Sequence, residues 1–433
     1  MYWLLAHLFG PLADLFYRRT KLGPEIRPSG PLLIVANHPN GLIDPVLLIR
    51  DAGRRVRFLA KEPLFRMPII GLILRRFGAL PVYRPRDGHD SQKNEETFER
   101  VFESLSNGDA VAVFPEGTSH SDPSLKPLKT GAARMVLGAE AQNDFSLGVR
   151  VLPVGLVYRK KAIFRSEAAT VVGEEIELSR FRELHETAPK DAVLAVTAVI
   201  DEGLRAVTLN LDRWEDAPLL EMAARIWQPE ASSLHRSLGL VVSGEREMRA
   251  REPERIARLK DRVLGLRASL LALGLNVEHL EQRYEAATIL RFVLRNFVAL
   301  VVGLPVAVLG AVAYFIPYQL VRVVVFGLRP ELDLVATYKV LLSLLLYPLW
   351  HTLLVGVITW RFGANLGLVS SLTLPLAALY TQQFIAHRRA AGREVWAFLR
   401  LPFIAGTKKR LRRERDLIRE EMDALAREYE KGG

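Results

Sequence analysis

The chain has 433 residues, 49% of them apolar, with 59 Lys and Arg against 48 Asp and Glu, giving a formal net charge of +11 and a pI near 9.8. That length gives room for two or three domains and a sizeable core, and the basic excess asks for an anionic partner. No cysteine is present, which excludes disulfides, a thiol nucleophile and a cysteine-ligated metal, and fits a catalytic domain in a reducing compartment.

Residues 1–24 begin with the apolar run Tyr2-Trp3-Leu4-Leu5-Ala6-His7-Leu8-Phe9, interrupted by Gly10-Pro11 and followed by Arg18 and Arg19. The basic leader of a secretory signal does not precede it. Length and aromatic content predict an amphipathic helix lying in a membrane interface. Residues 25–228 then alternate short apolar runs with helical patterns. Strands are predicted at 31–35, 57–60, 79–83, 110–114, 152–157 and 170–172, and helices at 44–50, 63–76, 92–107, 131–139 and 190–209. The alternation predicts a layered α/β domain, with a mixed sheet and flanking helices.

The second half has a different character. In residues 229–290, Ile256, Leu259, Val263, Leu266, Leu270 and Leu273 recur at three- and four-residue steps, the seam of a packed helical hairpin. Residues 291–386 form a membrane region of two to three spanning or re-entrant segments, at 297–318, 334–360 and 363–380. The first contains Pro305 and Pro317. If that segment enters and returns, the basic flanks Arg291, Arg295, Arg322, Arg329, Arg388, Arg389 and Arg393 share one side and Arg361 alone lies across. Residues 387–433 are a basic, charged helical tail, whose Lys408, Lys409, Arg410, Arg412 and Arg413 suit anionic headgroups. Long apolar runs make an anionic membrane surface the expected partner, and no nucleic-acid-binding signature stands out.

Four blocks carry chemistry. The first is Ala36-Asn37-His38-Pro39-Asn40-Gly41-Leu42-Ile43-Asp44-Pro45, at the mouth of the first predicted strand. The second is Gly78-Ala79-Leu80-Pro81-Val82-Tyr83-Arg84. The third is Phe114-Pro115-Glu116-Gly117-Thr118-Ser119-His120, and the fourth is Val151-Leu152-Pro153-Val154-Gly155. A histidine ordinarily titrates near neutrality and can act as a base. A nearby carboxylate can fix its tautomer and stabilise the imidazolium, without any serine nucleophile. His38 and Asp44 are the candidate pair. Backbone N–H groups near Asn40 and Gly41 also fall where they can face the site. Arg84 offers a planar, permanently charged fork for a phosphate. Gly117 lets the backbone approach, and Thr118 and Ser119 supply donors. Glu116 would orient Arg84 or an acceptor hydroxyl. Lys61, Lys126 and Lys129 are further candidates for anionic groups of a donor carrier or of the membrane. No metal-ligand spacing is visible.

Taken together and in order, the four blocks resemble those of the glycerolipid acyltransferase family, the glycerol-3-phosphate and 1-acylglycerol-3-phosphate acyltransferases. The resemblance covers about residues 25–215. Five residues separate His38 from Asp44, where the commonest family spacing has four. The longer spacing followed by Asp-Pro, and the run from Ser119 to Gly131, look like the fungal-type glycerol-3-phosphate and dihydroxyacetone-phosphate acyltransferase branch. The resemblance implies a membrane-bound enzyme transferring an acyl chain from a thioester to glycerol 3-phosphate, with lysophosphatidic acid as the alternative acceptor. Acyl-CoA or acyl carrier protein would be a co-substrate, and no cofactor is needed. It also implies that the third block binds glycerol phosphate and that Pro153 lines the wall near the thioester. The catalytic domain would face the cytoplasm from a multi-pass protein. A non-catalytic lipid-binding scaffold is the reading of another class.

Overall fold

The structure, a computed structural model, describes residues 2–83, 94–228, 234–280, 286–400 and 405–432. The chain divides into two compact units, Met1–Asp212 with Pro330–Thr337, and Arg213–Arg329 with Tyr338–Gly433.

The first unit is built on an eight-stranded mixed sheet. Its strands are β1 (Tyr17–Leu22), β2 (Leu32–Ala36), β3 (Val56–Lys61), β4 (Leu80–Val82), β5 (Ala110–Val113), β6 (Arg150–Tyr158), β7 (Ser166–Val172) and β8 (Ile176–Glu177). The order is β1-β7-β6-β2-β5-β3-β4, with β8 also on β6. From β6 to β4 every neighbouring pair is parallel, while β7 and β8 run antiparallel to β6. Every residue of β2 is buried, as expected for an unbroken apolar run covered on both faces. Leu33 and Val35 face a core with Val101 and Leu105 of helix Asn94–Ser106, Val136 of helix Gly131–Ala141, and Val196 and Ile200 of helix Pro189–Val207.

Pro153 lies inside β6, where a missing N–H would normally be costly. It sits between the stretch paired with β8, which ends at Val151, and the stretch paired with β7, which starts at Val154. Its carbonyl still accepts from Gly173 N–H at 2.9 Å. Strand β1 occupies residues the sequence reading gave to the N-terminal helical segment. The helix itself spans Tyr2–Phe16 with Pro11 inside it, and β1 then pairs in parallel with β7.

In the second unit, helices Ala217–Trp227, Pro253–Leu273 and Ala405–Gly432 share one apolar core. Ile256, Leu259, Val263, Leu266 and Leu270 are all buried along one seam. The tail helix belongs to this bundle. Leu411, Ile418 and Leu425, seven residues apart, enter the same core, and Glu414 and Glu421 pair with Arg262 across the helix interface.

Among the described residues, three helices are long and apolar enough to cross a membrane, Leu290–Ala313, Val335–Phe362 and Ala364–Arg388, and a shorter apolar helix covers Phe315–Leu328. Pro305 stays inside helix Ala286–Ala313, which ends before Tyr314, the cap of the next helix. A proline removes one intrahelical bond, which an apolar helix can tolerate. Helix Ala364–Arg400 packs closely against this one, with Thr381 Oγ1 2.9 Å from Ala307 O and 2.7 Å from Ala377 O of its own helix. Gly310 allows this close approach, because a Cβ there would lie 2.4 Å from Ala377 O.

Candidate active site

The site lies where β2 and β5, neighbours in the sheet, each run into a turn. At the end of β2, Asn37 locks the chain to β6: its Nδ2 donates to Leu156 O at 3.0 Å, and Leu156 N–H donates to its Oδ1 at 2.7 Å. His38 follows. Its ring stacks on Phe114, at 4.0 Å between centroids and 10° between planes. Two bonds from backbone N–H groups join the turns: His38 N–H donates to the Glu116 carboxylate at Oε1, at 3.1 Å, and His120 N–H donates to His38 O at 3.1 Å.

Asp44 lies in the first turn of helix Ile43–Ala52, a favourable end for a negative charge. It is fully buried and accepts three hydrogen bonds. The donors are His38 Nδ1 at 2.8 Å, Asn40 N–H at 2.7 Å and Tyr158 Oη at 2.5 Å. An ionised carboxylate only accepts, so the His38 proton resides on Nδ1 and Nε2 is left as the basic nitrogen. The imidazole is 19% exposed and the Asp44 side chain 0%, so the ring alone offers an edge outward. The sixth residue after His38 thus makes the contact despite the longer spacing. The turn between them tightens through Ile43 N–H to Asn40 O at 3.0 Å and a left-handed Gly41, φ +43°. Asn40 N–H is committed to Asp44, which withdraws it from the set of amides expected to face the site.

Glu116 is buried, and both its oxygens are engaged. Besides His38 N–H, it accepts Lys126 N–H at 2.8 Å and the His120 ring at Nε2. His120 Nδ1 accepts Asp122 N–H at 3.1 Å, so the His120 proton is on Nε2 and points at Glu116. The carboxylate expected to orient Arg84 or an acceptor hydroxyl here ties the two turns together. Gly117 has φ +73°, and a Cβ there would lie 2.6 Å from Lys129 Nζ. That lysine therefore lies across the third block, while Thr118 Oγ1 bonds to Ser119 O at 3.2 Å. Thr118 and Ser119 are both half-buried. Lys61 is exposed at the end of β3, opposite Val82 of β4. Lys126 Nζ pairs with Asp122 at 3.1 Å. Pro153 is buried, with its ring against Gly203 of helix Pro189–Val207. Arg84 lies outside the described residues.

Three participants escaped the sequence reading. Tyr158 ends β6 and Tyr17 begins β1, and only the register of β1, β7 and β6 brings them together, with ring centroids 5.3 Å apart. Tyr17 Oη accepts Asn40 Nδ2 at 2.9 Å. Burial, with the Asp44 charge added, pushes the Tyr158 phenol well above its ordinary value. Burial likewise raises Tyr17. The third is Lys161, whose ammonium donates to Pro39 O at 2.6 Å and Ser121 Oγ at 2.7 Å. Aromatic residues at strand ends are common, so nothing in the sequence singled the tyrosines out. Among the described residues, no group of His, Asp and Glu is placed to hold a metal ion.

Comparison with known proteins adds an independent observation. The family model described as Acyltransferase matches residues 18–157. Glycerol-3-phosphate O-acyltransferase 2 of Saccharomyces cerevisiae is 32% identical over 282 residues, which are 60% of this chain and 37% of that protein. Glycerol-3-phosphate O-acyltransferase 1 of the same yeast is 25% identical over 81% of this chain and 60% of its own length. The 1-acyl-sn-glycerol-3-phosphate acyltransferase of Bacillus subtilis is 25% identical over 44% of this chain and 87% of its own length. The chain spans between 37% and 60% of the two yeast proteins. The stretch matched by the family model contains the His38, Asp44 and Glu116 turns and strands β2 to β5, so residues 18–157 match the Acyltransferase family over the same stretch that carries the four sequence blocks.

Proposed function

We propose that this chain is a membrane-bound O-acyltransferase that moves a fatty acyl chain from a thioester to a hydroxyl of glycerol 3-phosphate. One observation carries the reading: a buried carboxylate holds the His38 proton on Nδ1, at 2.8 Å, at the mouth of a strand within an acyltransferase domain. In the reaction, Nε2 takes the proton of the acceptor hydroxyl as its oxygen attacks the thioester carbonyl carbon. Asp44 stabilises the imidazolium that forms. The tetrahedral intermediate collapses, the C–S bond breaks, and the leaving thiolate takes the proton back from His38. Phe114, stacked on the ring, fixes its plane, and the protein forms no covalent intermediate. Gly117, Thr118 and Ser119, with Arg84, would hold the acceptor's phosphate. Lys61 and Pro153 fall to the donor side, where acyl-CoA or acyl carrier protein would bind.

Glycerol 3-phosphate is preferred as acceptor because the two yeast relatives carry that name and match beyond the domain. Lysophosphatidic acid is the second reading, favoured by the 87% coverage of the Bacillus enzyme. The three long apolar helices support a multi-pass protein. The exposed Lys409, Arg410, Arg412 and Arg413 suit an anionic leaflet on the cytoplasmic side. The test is an assay of the purified chain with labelled oleoyl-CoA and both acceptors. The expected result is a kcat/KM for glycerol 3-phosphate at least ~10-fold above that for lysophosphatidic acid. A wild-type rate equal to that of His38→Ala, with no transfer to either acceptor, leaves the lipid-binding scaffold instead.

A further inference from the structure

Gly41 and Leu42, in the middle of the turn between His38 and Asp44, are covered by a distant part of the chain. Pro330–Thr337 belongs to the same compact unit as the sheet. The chain reaches it from the apolar helix Phe315–Leu328 and leaves it along Val335–Phe362. Leu42 N–H donates to Thr337 Oγ1 at 3.3 Å. A Cβ on Gly41 would lie 2.9 Å from Leu334 Cδ2, 3.1 Å from Asp333 O and 3.2 Å from Thr337 Oγ1, so the segment is packed directly on the turn. Asp333, Ala336 and Thr337 are buried there. The charge of Asp333 also acts on Lys161, the residue that holds Pro39 and Ser121: burial lowers the Lys161 pKa, and the charges of Asp333, Asp44 and Asp122 oppose that shift.

These contacts complete the support of the turn. Asn37 and Glu116 fix its start, and Tyr158 fixes Asp44 at its end. Between them stands a left-handed glycine, a residue with no side chain to anchor it and with little backbone preference of its own. Leu334 and Thr337 are what packs on it.

We propose that Pro330–Thr337 is a positioning element of the acyl-transfer site, in which Leu334 and Thr337 hold the turn so that His38 and Asp44 stay at hydrogen-bonding distance. The inference rests on the reading of His38 as the base, and it assigns a role to residues outside the matched acyltransferase domain.

The test uses the full chain in detergent, with oleoyl-CoA and glycerol 3-phosphate. Thr337→Val keeps the shape but removes the acceptor of the Leu42 N–H, Thr337→Ser keeps the acceptor, and Leu334→Ala opens the contact with Gly41. Loss of one such contact is expected to lower kcat roughly 5- to 10-fold in Thr337→Val and Leu334→Ala, with KM for glycerol 3-phosphate within about 2-fold. Thr337→Ser should stay near wild type. Amide hydrogen exchange at Leu42 should quicken about 10-fold in the two impaired variants. An unchanged kcat overturns the proposal. So does a rise in KM alone, or a lower kcat without faster exchange at Leu42. If the wild type transfers no acyl chain, the functional reading fails by itself, and exchange at Leu42 still decides whether the segment holds the turn.

Discussion

Each unit has one cluster of charge whose placement contrasts with that of the other. In the first, the side chains of Asp44 and Glu116 have no exposure, and each carboxylate accepts three protein donors. In the second, Arg255 and Arg262 reach Glu421, Glu428 and Glu414 along a partly exposed helix face, with side-chain exposures from 24% to 46%. A buried carboxylate surrounded by fixed donors has one position and one protonation pattern, as an orienting group requires. A ladder on a helix surface sets register and leaves little energy in any one rung. The first arrangement belongs to chemistry and the second to packing.

The sharpest way to break that contrast is Asp44→Asn. An amide has one accepting oxygen, and its NH2 would confront a donor among His38, Asn40 and Tyr158. The imidazole then loses the partner that keeps its proton on Nδ1. The expected fall in kcat/KM is roughly 10²- to 10⁴-fold, read in the same acyl-transfer assay. A variant within about 3-fold of wild type would remove Asp44 from the mechanism.

A smaller effect is expected from the tyrosine beside it. Tyr158 is held protonated in the folded protein to a pH well above its ordinary value, by burial first and by Asp44 second. The unfolded chain releases that proton near pH 10. Above that pH the folded state binds the extra proton, so stability is lost as pH rises towards the folded-state pKa. The slope is about 1.4 kcal/mol per pH unit for one such group. Tyr158→Phe should therefore lose stability more gently than wild type between about pH 9 and pH 11 in urea titrations. Equal slopes would show that the phenol is not held by Asp44 and its surroundings.

Much of the first unit could be read from local pattern, because its central strands are unbroken apolar runs. The strand at 31–35 appears as Leu32–Ala36, and that at 110–114 as Ala110–Val113. Strand β1 was missed because Tyr17-Arg18-Arg19-Thr20-Lys21-Leu22 is mostly polar and gains its place only by pairing with β7. In the site, the approach of His38 to Asp44 follows from one turn and one helix start, so spacing carried it. Tyr158, Lys161 and Leu334 come from other elements and touch the turn only through tertiary register, which leaves no mark at their own positions. The tail's place in the helical bundle left no local mark for a related reason: the partner of Glu414 and Glu421 is Arg262, on helix Pro253–Leu273.

The smallest expected effect tests the other side of the contrast. Arg262 joins Glu414 at 2.8 Å and Glu421 at 3.0 Å, with its side chain 31% exposed. Coulomb attraction there is weakened by solvent and offset by the entropy of holding a long side chain in one rotamer. Because the helix interface rests on Ile256, Leu259, Leu411 and Ile418, Arg262→Ala should leave it assembled. The cost should be no more than about 1 kcal/mol in the unfolding free energy of the chain. Salt sharpens the point, since an exposed pair is screened at roughly 1 M ionic strength and a buried one is not. The gap between wild type and Arg262→Ala should shrink as salt is added, whereas the loss of activity in Asp44→Asn should not. A gap that persists in high salt would mean that the ladder is desolvated and shares the character of the first unit.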